Sequence, residues 1–420
     1  PESITGTHHH HYHRASVERR SGYGTSLRSR QPRRKRRRGK MAAVCLQVSC
    51  GILVLLAAVL TGIVMRLSAI PSDIRIEIDP SSNADNNNNN NVLLGKSTTT
   101  LTPQQVQNYD RDGFVFVPAL LSEDEALTLK DSAEYAASRL LDIFSLFGST
   151  LYKQIMFDLW RTSPEIASLS LQALPHVASQ IMTTTRTSTT TSNTDDTKIR
   201  LLRDAFFAYS PPGDACGWHV DDAGFWPAEE DTGGPTFWIA LDPLLVKEGG
   251  GLAIMNRTLF QTTNPLEITE ESCRQAIAGA TCDMKQKSPE CHAKMEETKM
   301  EFDMRPGDAI IWDRWTFHRG VGTDLLPEDV VKRRYSVRYM PHNSKAFGAV
   351  HSSVEQGQVF ESPYYPQVWP NLLESEMKAL EHGLDPDISL ATAASFLMKR
   401  VARKFNSFFS AGTKTVDQER

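Results

Sequence analysis

Short stretches of β-forming residues, separated by turns rich in glycine and proline, constrain the fold of this chain more than any other feature. They begin just before the midpoint of the sequence, at 205–209, 236–241, 251–255, 309–312 and 334–339. Many short strands at turn-separated intervals are typical of a barrel or a jelly roll. The second half of the chain is therefore expected to be mainly β.

The residues in front of these strands predict helices. Hydrophobic side chains recur with helical spacing at 126–141 and 166–181. Ser122, with Glu125 three residues later, has the pattern of a capping box at a helix start. The predicted fold class is a mainly β core, a double-stranded β-helix (jelly roll, cupin-like), with a flanking N-terminal helical layer.

Charge and composition divide the 420 residues into five regions. They are a basic disordered tail at 1–40, a transmembrane anchor at 41–65, a polar linker at 66–103, a folded domain at 104–370 and a helical C-terminal tail at 371–420. The first forty residues hold twelve Lys/Arg and two Glu, a net charge of +10, so the remainder carries −14 of the overall −4. An acidic body lacks the clustered cations that bind phosphate, so no nucleic-acid partner is expected.

Residues 41–65 form a stretch of 25 positions without a charge. This length is enough for a helix to cross a hydrocarbon core about 30 Å thick, and predicts a membrane anchor. A buried core helix and a cleaved signal sequence remain as alternatives, and a start at Met41 would favour the latter. Because a basic run at 33–40 precedes the segment, the N-terminus is expected in the cytoplasm and the folded domain in the lumen of the secretory pathway.

The cysteines of the folded domain bear on this expectation. Cys273, Cys282 and Cys291 follow one another at spacings of nine, and a fourth, Cys216, stands apart. In an oxidising lumen a disulfide among the three is expected, although the sequence leaves its pairing open. Asn256 begins a glycosylation sequon that is usable only on the luminal side.

Three residues in two distant segments form a candidate metal site. His219 and Asp221 are two positions apart, so on a strand both project to the same face. About a hundred residues later a Pro-Gly turn and an apolar strand lead to His318. A His-x-acid pair alone occurs in such a chain about once by chance, so the interpretation depends on this wider context.

A strongly polar strand face follows. Arg334, Ser336 and Arg338 alternate with aromatic and aliphatic residues. An arginine directed into a barrel is costly unless an anion lies there, and a guanidinium holds a carboxylate bidentately. Two histidines, a carboxylate and a downstream arginine are the parts of a non-haem iron site, in which three ligands occupy one face of the metal.

With these motifs the chain resembles the phytanoyl-CoA dioxygenase family of iron(II)/2-oxoglutarate oxygenases. The likeness runs from Tyr109–Pro118 to Pro363–Pro370, about 260 residues. Its middle markers, each weak singly and specific together in this order, are Trp218–Asp221, Trp238–Asp242, Gly249–Leu252 and Pro306–Asp308 leading to His318.

The resemblance implies a cofactor, a co-substrate and a reaction. Iron(II) would be bound by His219, Asp221 and His318, and 2-oxoglutarate would be the co-substrate. Halogenating relatives replace the carboxylate ligand with a small residue, so Asp221 favours hydroxylation. The substrate is expected to be an unidentified small-molecule or lipid-like compound, and the oligomeric state is left open.

The resemblance also implies that a strand arginine binds the distal carboxylate of 2-oxoglutarate. Family members usually place it nearer the distal histidine, whereas the loop is longer here. Arg334 is the predicted residue because it begins an Arg-x-Ser pair on the polar face, and Ser336 is expected to assist it. Lys332 and Arg338 share this face and remain alternatives.

Two segments depart from the family pattern. A polar loop at 182–198 and an insertion of roughly forty residues at 256–300 are interpreted as surface insertions, in preference to elements that restrict substrate entry. Trp218 is expected to pack rather than to act.

Two other functions remain as alternatives. A zinc-dependent hydrolase could use the same three ligands, but it would leave Arg334 without a role. A membrane-tethered, non-catalytic binding protein on a jelly-roll scaffold is the second, and the complete ligand set weighs against it.

Overall fold

A computed structural model describes ten stretches of the chain. They are residues 100–139, 155–161, 163–186, 198–211, 216–221, 225–229, 232–260, 268–277, 282–347 and 354–382. The predicted basic tail and membrane anchor lie outside these residues, as do nearly all of the predicted linker and most of the C-terminal tail. Among the helices within the described stretches, none combines the length and the apolar character that a membrane crossing requires.

The described chain opens with helix α1, Pro103–Asp112. The Thr102 side chain accepts the backbone N–H of Gln105, and the Gln105 side chain accepts the N–H of Thr102, so a capping box satisfies two free donors of the first turn. The helix ends at Gly113, whose φ of +80° is strained for any residue with a Cβ. This turn leads directly into the first strand.

A helical layer follows, as predicted. Helix α2, Glu123–Arg139, begins at the expected capping box, in which the Glu125 carboxylate accepts the backbone N–H of Ser122. The rest of the layer comprises α3 (Pro164–Ser168), a π-helical turn (Leu169–Ala173) and α4 (Leu174–Arg186).

Ten strands build two sheets from the described residues. In chain order they are β1 (Phe114–Val117), β2 (Ile155–Phe157), β3 (Ile199–Tyr209), β4 (Pro235–Ala240), β5 (Leu252–Ile254), β6 (Met300–Glu301), β7 (Ala309–Asp313), β8 (His318–Gly320), β9 (Lys332–Pro341) and β10 (Gln367–Trp369). The larger sheet has the order β1-β7-β4-β9-β3-β10, with β2 also paired to β3, and the smaller has the order β6-β5-β8. All pairings are antiparallel, and the predicted jelly roll with its helical layer is confirmed.

Alternation along β4 shows how the sheet separates two cores. Phe237 and Ile239 pack into the main core with the helical layer, whereas Trp238 and Ala240 pack into a second core with β5 and β7. Because successive side chains point to opposite faces, one strand serves both cores. Each large side chain so buried contributes roughly 1.5–3 kcal/mol of transfer free energy.

The described residues of the insertion at 256–300 are mainly helical. It comprises a 3-10 turn (Arg257–Phe260), α5 (Glu270–Ala276), α6 (Met284–Lys287) and α7 (Pro289–Thr298). Cys273 and Cys291 form a disulfide that joins α5 to α7. A second disulfide joins Cys282 to Cys216, outside the insertion. A disulfide among the three evenly spaced cysteines was expected; the partnership of Cys216 was not.

Helix α8, Glu374–His382, packs against the end of the larger sheet. Glu376 forms a buried ion pair with Arg200 of β3 at 2.8 Å and accepts the backbone N–H of Gln367. A carboxylate buried with both a cation and an N–H donor is well satisfied, so these contacts fix α8 on the domain.

Candidate active site

The two histidines lie opposite one another across a backbone bridge. The N–H of His219 donates to the carbonyl of His318 at 3.0 Å, and the reverse bond has the same length. The bridge adds the His219 segment to the edge of the smaller sheet beside β8. The imidazole centroids are 4.3 Å apart, so two residues 99 positions apart in the chain present their rings to one point.

Backbone carbonyls orient both rings. Nδ1 of His219 is 2.7 Å from the carbonyl oxygen of Gly217, and Nδ1 of His318 is 3.0 Å from that of Thr316. Because a carbonyl only accepts, Nδ1 carries the proton in each ring and Nε2 is left with a free lone pair. This is the usual way in which a second partner fixes a metal-binding imidazole.

Asp221 completes the group. Its carboxylate accepts from Arg338 Nε and Thr236 Oγ1, both at 3.0 Å, and one oxygen lies 3.8 Å from His318 Nε2. One potential ligand atom from each of Asp221, His219 and His318 lies within 4.8 Å of the others, and all three residues are buried.

The protonation states suit a divalent cation. Burial alone would raise the pKa of Asp221, but the nearby charges, above all that of Arg338, lower it to about 2. Burial, assisted by His219, lowers the pKa of His318 to about 3. An anionic carboxylate beside a neutral imidazole is the state in which these groups bind a metal ion.

The three residues line a cavity of about 50 Å³ between the two sheets. Its polar wall includes Arg334 and Arg338. The aromatic residues of the wall are Phe207, Tyr209, Phe225, Trp238 and Trp312. A mostly apolar wall with a few convergent polar groups is typical of small-molecule sites.

Arg334 lies in this wall without a carboxylate partner among the described residues. Its side chain is 1% exposed; Nη1 donates to the carbonyl of Gly250, and Nη2 has no hydrogen-bond partner there. The guanidinium carbon is 3.9 Å from the ring centroid of Tyr209 and 5.4 Å from that of Trp238. Burial lowers the pKa of Arg334 to about 10, so the residue is a cation at neutral pH.

The neighbours of Arg334 on the strand have other partners. Ser336 is fully buried and accepts a hydrogen bond from Arg338 Nη1 at 3.2 Å. Lys332 donates to the carbonyl of Pro243 at 2.7 Å, and Arg333, on the opposite face of the strand, pairs with Asp242. Of the candidate cations, Arg334 alone combines the cavity wall with an unpaired nitrogen, which fits the carboxylate that 2-oxoglutarate would bring.

Three contributors to the site were not predicted from the sequence. Arg338 was only an alternative carboxylate-binding residue, yet it holds Asp221, and Thr236 faces it across the strand pair. The sequence indicated a place for Arg338 in the site only through its position, four residues after Arg334 on the same face of the strand. The insertion was interpreted as a surface feature, yet its Cys282 is bonded to Cys216 in the cavity wall.

A jelly roll with two histidines, a carboxylate and a buried unpaired arginine around one cavity defines the class of non-haem iron, 2-oxoglutarate-dependent oxygenases. The chain belongs to the phytanoyl-CoA dioxygenase family: the profile described as Phytanoyl-CoA dioxygenase (PhyH) matches residues 109–322, just over half of the sequence. Family and donor set together confirm the predicted cofactors, iron and 2-oxoglutarate.

Solved structures similar to this chain include three of low sequence identity. The alpha ketoglutarate-dependent carbocyclase SnoK of nogalamycin biosynthesis is 19% identical and covers 64% of this chain and 98% of its own, with a TM-score of 0.47. The epimerase SnoN with Fe3+ and alpha ketoglutarate is 16% identical and covers 63% of this chain and 97% of its own, with a TM-score of 0.44. EvdO2 from Micromonospora carbonacea var. aurantiaca with 2-oxoglutarate is 19% identical and covers 58% of this chain and 92% of its own, with a TM-score of 0.39. The comparison with curated proteins finds no match.

Proposed function

We propose that the chain is an iron(II)/2-oxoglutarate-dependent hydroxylase of a small-molecule or lipid-like substrate. The observation that carries this proposal is the convergence of His219, Asp221 and His318 beside a buried guanidinium with an unpaired nitrogen. A hydrolase built on the same three ligands would have no use for Arg334, whose burial without an anion is unfavourable.

Each residue has a distinct task in this proposal. His219, Asp221 and His318 hold the iron, and the carbonyls of Gly217 and Thr316 keep both Nε2 atoms free. Iron with 2-oxoglutarate supplies the activation of oxygen, which amino-acid side chains cannot provide. Protein residues contribute orientation, charge and exclusion of water.

Arg334 is proposed to bind the distal carboxylate of 2-oxoglutarate. Its free Nη2 provides a donor, and the rings of Tyr209 and Trp238 pack against the guanidinium. A charge-assisted hydrogen bond in such a place is stronger than the same bond in water.

The aromatic wall indicates the chemical class of the substrate. Phe207 and Phe225 stack at a centroid distance of 6.1 Å, and both line the cavity. We therefore propose that the carbon to be oxidised belongs to an apolar or aromatic part of a small molecule. The retained carboxylate of Asp221 supports hydroxylation as the outcome.

Succinate formation by the full chain tests the proposal. With Fe(II), 2-oxoglutarate and oxygen, we expect the wild-type protein to produce succinate and His219→Ala to produce none. His176→Ala, an exposed histidine on α4, is the matched control and should match wild type. Turnover that survives His219→Ala would refute the iron site. Candidate substrates are then ranked by acceleration of succinate formation, and a single ¹⁸O from labelled oxygen in the product would identify hydroxylation.

We further propose that the folded domain lies in the lumen of the secretory pathway, anchored through residues 41–65. The disulfides Cys216–Cys282 and Cys273–Cys291 support this, because such bonds persist in oxidising compartments. Alkylation of the protein from cells, before and after reduction, should label the four cysteines only after reduction. Full labelling without reductant would place the domain in a reducing compartment.

A further inference from the structure

The insertion at 256–300 shares its hydrophobic core with the residues that precede the two histidines. Trp218 and Phe317 are 0% and 1% exposed, and both belong to the cluster formed by the insertion's apolar side chains. The members of this cluster that belong to the insertion are Phe260, Cys273, Ile277, Met284, Cys291 and Met295. His219 and His318 face the cavity while their predecessors face the insertion, since neighbouring side chains point to opposite sides.

One carboxylate of the insertion bonds to both segments that carry a histidine. Glu296 on α7 accepts Trp218 Nε1 at 2.9 Å, and it accepts Arg319 Nε at 2.7 Å and Nη2 at 3.1 Å. Trp218 precedes His219 and Arg319 follows His318, so Glu296 links the two segments from outside. The Arg319 guanidinium also lies 5.5 Å from the centroid of the Trp218 ring.

A second link ties the insertion to the segment of His219. Cys216 is bonded to Cys282, and the next residue, Gly217, lies so close that an added Cβ would be 2.8 Å from the carbonyl oxygen of Cys282. The carbonyl of Gly217 is the group that orients the ring of His219. The insertion therefore contacts the residue whose carbonyl orients the His219 imidazole.

Few backbone contacts otherwise hold the two segments together. Among the described residues, the bridge between His219 and His318 supplies two hydrogen bonds, the N–H of Gly320 donates to the carbonyl of Cys216, and the N–H of Asp221 donates to that of Arg314. A metal ion needs its ligands held to a fraction of an ångström, so side-chain links outside the bridge affect affinity.

We propose that the insertion is the outer support of the metal centre and that Glu296 is a positioning residue, which holds the two histidine segments at the separation that the metal requires. This rests on the proposed function insofar as the three ligands bind a metal. It differs from the surface role predicted for the insertion from the sequence.

Titration of the full-length, metal-free protein with Co(II) tests the proposal through a readout that does not depend on turnover. Binding is followed by the visible absorption of the ion. We expect Glu296→Gln, which keeps the size of the side chain but loses the charge facing Arg319, to raise the Kd for Co(II) about tenfold. Glu297→Gln, the exposed neighbour on the same helix, should leave the Kd unchanged within about twofold.

A second variant covers the case in which Glu296→Gln fails to fold. Trp218→Phe keeps an aromatic ring in the insertion core and removes only the Nε1 donor, and it should raise the Kd severalfold. A wild-type Kd in either variant, with a lowered melting temperature alone, would show a merely structural role and overturn the proposal. Absence of Co(II) binding by the wild-type protein would instead overturn the proposed function, and this inference with it.

Discussion

Two arginines on β9, four residues apart, face the same cavity and differ in what they bind. Arg338 holds the Asp221 carboxylate through Nε at 3.0 Å and Nη2 at 3.4 Å. Arg334, equally buried, contacts a backbone carbonyl and two aromatic rings, and one of its nitrogens is unpaired. The paired Arg338 fixes the carboxylate that we propose as a metal ligand, whereas the unpaired Arg334 is buried at a cost, which supports our proposal that its partner comes from outside the protein.

The strand register explains this difference. Arg338 lies opposite Thr236 on β4, so a hydroxyl and a guanidinium reach Asp221 side by side. Arg334 lies opposite Ala240, which offers no polar atom beyond its backbone. In the proposed function, these two positions on one strand serve the metal and the co-substrate separately, about 13 Å apart along the strand.

Removal of the Asp221 carboxylate should have the largest effect, because this group is both a proposed metal ligand and the anionic partner of Arg338. Asp221→Ala deletes a metal ligand and leaves Arg338 buried without its anion. We expect loss of succinate formation and a fall of about 3–5 kcal/mol in the free energy of unfolding, measured by chemical denaturation. Asp324→Ala, an exposed acid, is the control and should leave both unchanged. Full activity in Asp221→Ala would contradict its role as a ligand.

Loss of the unpaired arginine should affect the co-substrate and spare the metal. Arg334→Leu removes the charge-assisted bonds to the distal carboxylate, worth about 2–3 kcal/mol, so the KM for 2-oxoglutarate should rise about 100-fold. The Kd for Co(II) should stay at the wild-type value. Arg333→Leu, on the opposite face of the strand, provides the control. An unchanged KM in Arg334→Leu would remove the distinction between the two arginines.

The converse result is expected at the other end of the strand. Arg338→Lys keeps a positive charge but not the fork that spans both oxygens of Asp221, so the Kd for Co(II) should rise about tenfold. At saturating metal the KM for 2-oxoglutarate should remain near the wild-type value. A rise in KM with an unchanged Kd would mean that Arg338, and not Arg334, binds the co-substrate.

The smallest effect is expected for the hydroxyl opposite Arg338. Thr236→Val is nearly isosteric and removes one hydrogen bond to Asp221, worth about 1 kcal/mol, so the Kd for Co(II) should rise about fivefold. Metal titration at constant ionic strength measures the change. If Thr236→Val raised the Kd for Co(II) more than Arg338→Lys does, Thr236 and not Arg338 would be the main support of Asp221.

The sequence predicted the faces of β9 because alternation is a local property. Tyr335, Val337 and Tyr339 lie in the main core, whereas Arg334 and Arg338 face the cavity. Which of two arginines on one face meets a protein carboxylate depends on the register with β4. That register is set by packing across the sheet, so the alternation pattern could not assign Arg338 to Asp221.

The cysteines and the insertion show the same limit more clearly. Cys216 and Cys282 are 66 residues apart, and no local pattern brings them together. The contact of Glu296 with Trp218 likewise spans 78 positions. His219, by contrast, could be paired with His318 in advance through its resemblance to a known family, because that comparison carries three-dimensional information which spacing alone lacks.

Anaerobic addition of 2-oxoglutarate to the Fe(II)-loaded full chain tests the central claim most directly. Chelation of Fe(II) by the keto acid produces a visible charge-transfer absorption, which reports the metal and the co-substrate together. The band should appear for the wild-type protein, require about 100-fold more 2-oxoglutarate in Arg334→Leu, and be absent in His219→Ala at every concentration. A band of wild-type strength in His219→Ala, or none in the wild-type protein, would contradict an iron and 2-oxoglutarate site at this cavity.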